Sequence, residues 1–167
     1  MVIAGTAHRP QGLTTKRSVM YSNALVNALS EFFMPYLRQL KPDAVITGGA
    51  LGGDTGLAVA ALRYGAPLVV AVPFYGQESK WGAKSQDLYY RILDRAKLVV
   101  YVEQGPYEAW KMQSRNEWMV KKSDLLLALW SGSSGGTANC IHYAEKVGRQ
   151  VMNLWDDWEK YKTQYGM

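Results

Sequence analysis

At 167 residues, with 48% apolar and 20% charged side chains, the chain is expected to fold as one globular domain with a substantial core. The net charge of +5 favours anionic partners, but no dense Lys/Arg block marks a nucleic-acid protein. The single cysteine, Cys140, excludes an intrachain disulfide and fits a reducing cytosol; two distant histidines give no zinc signature, and no apolar run approaches the ~20 residues of a membrane span.

Taken in chain order, short apolar runs alternate with longer amphipathic stretches. Val2–Gly5 reads as a first strand, with no leader pattern ahead of it, so a cytoplasmic protein is expected. It runs into Gly5-Thr-Ala-His-Arg-Pro10. A long helix is expected over Lys16–Leu40, with Leu25, Leu29, Phe32, Phe33, Tyr36 and Leu40 on its core face and a kink at Pro35. Ala44–Thr47 reads as the second strand. It leads into the Gly-rich turn Gly48–Gly53 and a helix over Asp54–Tyr64. Leu68–Val72, the third strand, is followed by the polar, aromatic loop Pro73–Lys84 and a helix over Ser85–Arg95. Leu98–Val102, the fourth, precedes Glu103–Lys111 and a helix over Gln113–Lys122. Leu125–Trp130, the fifth, opens into Ser131–Thr137 and a helix over Thr137–Val147. Gln150–Leu154 is the sixth, and Trp155–Met167 closes the chain as an aromatic, charged extension.

The runs are near-continuously apolar, as expected of strands buried on both faces. Strands alternating with helices imply right-handed crossovers, hence an α/β fold in three layers. The expected sheet has about six mainly parallel strands, with helices on both faces. A parallel sheet gathers the loops after its strands along one rim, where open α/β sheets bind ligands. Converging there are His8, Arg9, Gly48, Gly49, Gly53, Asp54, Glu78, Trp81, Arg115, Asn116 and the Gly132–Thr137 loop.

Each has a chemical reading and a bland one. Gly132, Ser134, Gly135, Gly136 and Thr137 form a small-residue loop at a helix N-terminus, which suits a phosphate; the alternative is a tight turn. Arg9 and Arg115 are candidate phosphate clamps or surface ion-pair partners. His8 is a candidate phosphate donor or a supporting hydrogen bonder. Asp54 suits a helix N-cap or a ribose hydroxyl. Trp81 offers a rigid face for a base, or merely covers its loop. Cys140 reads as a small buried hydrophobe before a reactive thiol. Neither GxxxxGK[ST] nor GxGxxG occurs, which disfavours P-loop nucleotidases and standard dinucleotide dehydrogenases. No metal or cofactor is expected.

As a set, His8-Arg9-Pro10, Thr47-Gly-Gly-Ala-Leu-Gly-Gly-Asp54, Pro73-Phe74 with Gly76-Gln77-Glu78 and Trp81, Arg115-Asn116 with Met119, and Ser123-Asp124 followed by Gly132 and Gly135-Gly136-Thr137 resemble the YpsA/YoqJ-like family of the SMF/DprA–LOG (SLOG) superfamily. The match is spread over residues 1–154. It implies a Rossmann-like domain of bacterial or phage origin, with 155–167 packing on that domain or on a partner copy in a homodimer or higher homo-oligomer. It also implies a nucleotide or nucleotide-derived ligand, held as by a sensor or sequestering module. Gly5 joins the ligand-binding set on the same grounds. LOG enzymes in the superfamily are nucleoside 5′-monophosphate phosphoribohydrolases. Arg115 and Met119 are similar to their Arg-x-x-x-Met helix, and Gly135-Gly136-Thr137 to part of their Gly-Gly-x-Gly-Thr loop. The glutamates that follow in LOG enzymes are replaced by Ala138, Asn139 and Cys140. An N-glycosidase is therefore the alternative, with Asp54, Glu78 and Arg115 as candidate catalytic residues. DprA-like single-stranded DNA binding is the second alternative.

Overall fold

A computed structural model describes residues 1–167. Six strands form one sheet: β1 (Val2–Ala7), β2 (Ala44–Thr47), β3 (Leu68–Val72), β4 (Leu98–Tyr101), β5 (Leu125–Leu129) and β6 (Gln150–Asn153). Their order is β4-β3-β2-β1-β5-β6 and every pairing is parallel. Eight helices accompany them: α1 (Pro10–Leu13), α2 (Arg17–Met20), α3 (Asn23–Leu40), α4 (Gly53–Tyr64), α5 (Ala83–Arg95), α6 (Ala109–Lys121), α7 (Gly136–Lys146) and α8 (Trp155–Tyr165).

Alternation along each inner strand sends its side chains into two separate cores. Ile3, Val45, Leu125, Leu127 and Leu129 face α3, α4 and α8, in a cluster that includes Leu29, Phe32, Leu57 and Trp158. Ala4, Ile46, Leu126 and Ala128 face α6 and α7, against Met119, Val120, Cys140 and Ile141. This is the three-layer α/β arrangement the alternating runs predict. Cys140 is fully buried among apolar neighbours, and burial pushes its thiol up to about 11. No helix is long and apolar enough to cross a membrane.

Two features differ from the sequence reading, the start of the long helix and the burial of the outer strands. The expected helix over Lys16–Leu40 is broken, because Ser22 caps α3 by accepting a hydrogen bond from the Ala24 N–H at 3.2 Å. Pro35 lies inside α3, and the helix continues to Leu40. Pro35 is exposed, so water can satisfy the carbonyl its missing N–H leaves free. The outermost strands β4 and β6 are less buried than the inner four, and each is paired on one edge only; Leu98 and Tyr101 of β4 are 52% and 45% exposed.

α8 lies against α1 and α3. Trp158 is fully buried. Its indole Nε1 donates to the Leu13 carbonyl at 3.1 Å, and its ring meets Phe32 edge-on at 5.3 Å.

Candidate functional site

The sheet order reverses beside β1. The chain steps from β1 outward through β2, β3 and β4, then returns to place β5 and β6 on the other side. The loops after β1 and β5 therefore part at this point and leave a crevice between them. His8 spans it. Its Nε2 accepts from the Ser131 N–H at 2.9 Å and lies 2.9 Å from the Ser131 hydroxyl. Nε2 must carry a lone pair to accept that amide, so the ring is neutral, and burial lowers its pKa. His8 thus fastens one loop to the other.

The loop that His8 holds is open. Gly132, Gly135 and Gly136 have nothing within 4 Å of where a Cβ would stand. Gly135 adopts φ 138°, ψ −165°, a conformation reserved for glycine. No side chain caps α7. The first amide of the helix to find a carbonyl is that of Asn139, on Gly135 at 3.0 Å. The N–H groups of Gly136, Thr137 and Ala138 precede it and face the helix mouth. The loop is steadied by the Trp130 indole, which donates to the Ser133 carbonyl at 2.7 Å. Asn116 Nδ2 lies 3.4 Å from the Gly136 carbonyl. Ser134 is exposed and Thr137 is buried at the start of the helix.

The second Gly-rich turn has a charged foundation. Arg115 is 5% exposed. Its Nη1 donates to the Gly48 carbonyl at 2.5 Å and to the Ala71 carbonyl at 3.3 Å, and its Nε donates to Asn116 Oδ1 at 2.9 Å. Asp54 is 7% exposed. It sits in the first turn of α4 rather than at its cap, which is Gly52, and its carboxylate accepts from the Ala50 N–H at 3.3 Å. Burial pushes the Asp54 carboxyl up, while the charges of Arg115 and Arg9 pull it back. Gly48 lies between the two groups, and a Cβ there would collide with the guanidinium and the carboxylate together. Gly49 and Gly52 take positive φ. The Gly53 N–H donates to the His8 carbonyl at 3.3 Å, tying this turn to the β1 loop. Gly5 lies within β1, where Leu57 fills the place of its missing side chain.

Next to Arg9 opens a cavity of about 520 Å³, lined among others by Phe74, Lys80, Trp81, Tyr107 and Met112. Arg9 is exposed and joins no ion pair. Trp81 meets buried Tyr89 edge-on, with centroids 5.2 Å apart, which fixes its ring. Tyr107 meets Phe74 in the same manner at 5.7 Å. Gln77 binds the wall to the Gly-rich turn, its Nε2 lying 3.3 Å from the Gly48 carbonyl.

Tyr107 owes its place to a residue the sequence reading passed over. Lys111 is only 2% exposed. Its ammonium donates to the carbonyls of Gln104 and Pro106, both at 2.5 Å, with the Glu108 carboxylate at 3.5 Å. That clasp folds the loop carrying Tyr107. Nothing in the sequence marks it, since a lone lysine ahead of a helix reads as solvated. The candidate carboxylates lie elsewhere. Asp54 is beneath the Gly48–Ala50 turn, and Glu78 accepts from the Tyr90 hydroxyl at 3.1 Å; neither lines the cavity.

Residues 6–153 match the model of the YspA SLOG family. The prophage-derived protein YoqJ of Bacillus subtilis (strain 168) is 35% identical over 130 residues, covering 67% of this chain and 76% of that one. Other curated relatives are longer, and the chain spans 53% of the UPF0398 proteins it matches at 34% and 32% identity. Among solved structures, DNA processing protein A of Helicobacter pylori superimposes with a TM-score of 0.58 at 16% identity, over 90% of this chain and 63% of that one. The molybdenum cofactor carrier protein of Chlamydomonas reinhardtii superimposes with 0.55 at 17% identity, over 98% and 83%. These two likenesses establish the fold.

Proposed function

The chain belongs to the YspA SLOG family, and from that membership and the rim just described we propose that it binds a nucleotide or nucleotide-derived ligand. The open amides of Gly136, Thr137 and Ala138 take a phosphate, because a helix N-terminus supplies donors and about half a positive charge. Gly132, Ser134 and Gly135 let that phosphate approach the backbone. Arg9 adds a full charge and two parallel donors. The ring system packs in the 520 Å³ cavity against Trp81 and Tyr107. His8, Gly48, Gly49, Gly53, Asp54, Arg115 and Asn116 hold the loops that present these groups.

The observation that carries the reading is Arg9. It is an exposed guanidinium held in no ion pair, one residue from the His8–Ser131 link, and it lines a cavity walled by aromatic rings. Among superfamily relatives of the same fold, the Helicobacter pylori protein binds single-stranded DNA and the algal protein carries the molybdenum cofactor. Both facts belong to those proteins; they are in keeping with a ligand site in this fold. Binding is favoured over cleavage because glycoside hydrolysis wants a carboxylate at the anomeric carbon, and no carboxylate lines the cavity.

Isothermal titration with AMP, NAD, ADP-ribose and cyclic dinucleotides tests the proposal. At least one is expected to bind, and Arg9→Ala to weaken it by about tenfold or more, the worth of a charge-assisted hydrogen bond. Heat from none of them with folded protein sinks the reading. Release of free base from a bound nucleotide, followed chromatographically, would make the protein an N-glycosidase instead.

A further inference from the structure

We propose that the ligand carries two ring-bearing nucleoside units joined through phosphate, one unit on each side of Trp81. This rests on the nucleotide reading above and extends it to the class of ligand. A second cavity, of about 660 Å³, adjoins the first and is lined by Tyr21, Leu51, Lys80, Trp81, Lys84 and Ser85 among others. Trp81 and Lys80 border both cavities. The indole, which meets Tyr89 edge-on, belongs to the wall of both.

Each cavity repeats the same chemistry. The first offers Arg9 with Tyr107 and Trp81; the second offers Lys84 with Tyr21 and Trp81. Lys80 stands at the junction, where a phosphate linking two units would pass. No carboxylate lines either cavity, and neither Lys80 nor Lys84 is held in an ion pair. Tyr21 is 55% exposed, so its ring is free to meet a second base. Small-molecule sites occupy about 300–1,000 Å³. Either cavity alone falls in that range, so a mononucleotide filling the first leaves the second empty. A ligand with two bases uses both, with Trp81 in the wall of each.

The test compares the four ribonucleoside 5′-monophosphates with the matching 5′-phosphorylated dinucleotides and with NAD, by titration calorimetry on the intact chain. One dinucleotide class is expected to bind about tenfold or more tighter than its mononucleotide, as one further stacked base provides. The phosphodiester-linked compounds and pyrophosphate-linked NAD separate the two kinds of linkage. Tyr21→Ala and Lys84→Ala are expected to remove that gain and to leave mononucleotide affinity unchanged. Equal affinity for mono- and dinucleotides overturns the two-unit proposal and leaves the nucleotide reading standing. Equal loss of both ligands in the two variants overturns it as well. Affinity that keeps rising with oligonucleotide length overturns it in favour of a nucleic-acid track. No binding by any compound removes both readings.

Discussion

Two arginines on the same rim do different work, and burial separates them. Arg115 is committed to the carbonyls of Gly48 and Ala71 and lies near the buried Asp54 carboxylate. Arg9 is exposed and has no acidic partner in an ion pair. Arg115→Met removes a buried cation, takes a donor from the Gly48 and Ala71 carbonyls and leaves Asp54 without the larger of its two compensating charges. It should therefore cost about 3–5 kcal/mol of stability. Arg9→Ala removes an exposed side chain and should shift stability by no more than about 0.5 kcal/mol. Urea denaturation of the two variants checks this. Equal losses would mean that Arg9 belongs to the scaffold, and the ligand role given to it would then fall. Gly48 follows the same logic from the other side. It is glycine because the Arg115 guanidinium and the Asp54 carboxylate already occupy the space a side chain would need.

At the scale of elements, the junction of β5 and α7 is where backbone conformation and chemistry meet. Gly135 precedes the helix at φ 138°, ψ −165°, a region any other residue enters at a cost of about 1–3 kcal/mol. A Cβ there would meet nothing within 4 Å, so the penalty of Gly135→Ala is conformational rather than steric. Relief of that strain means turning the loop away from the helix mouth. The variant is expected to stay folded, with a thermal midpoint lowered by several degrees, and to lose most of its phosphate-dependent affinity. Folded protein that binds a nucleotide as tightly as the parent would show that the α7 amides do not hold the phosphate. The link from His8 to Ser131 ties this junction to the β1 loop across the crevice.

Across the whole molecule, the sheet was legible because each inner strand is an unbroken apolar run, and runs such as Leu125–Leu129 have few other places to go. The rim followed from topology, since parallel strands send all their following loops to one edge. The destination of a charged side chain was not legible. Arg9 and Arg115 look alike in sequence, and only the meeting of Gly48 and Ala71 beneath the turn draws one of them inside. Lys111 escaped notice for the same reason, its acceptors being carbonyls that any residue could supply. The net charge of +5 is likewise uninformative until the fold shows that Arg9, Lys80 and Lys84 border adjoining cavities with no carboxylate in their walls. That placement makes a quantitative demand. A ligand neutralised by two or three cations releases few counterions, so log Kd against log salt should have a slope of about 2, at roughly 0.7 per phosphate contact on a single strand. A polynucleotide track making six or more contacts would give a slope above about 4. Titration of the tightest dinucleotide at ionic strengths from about 0.05 to 0.3 M, where the Debye length shrinks from well over 10 Å to below 8 Å, distinguishes the two. A shallow slope that falls further in Lys84→Ala fits two cavities bridged at Lys80; a steep one would mean that the basic rim continues past them along a strand.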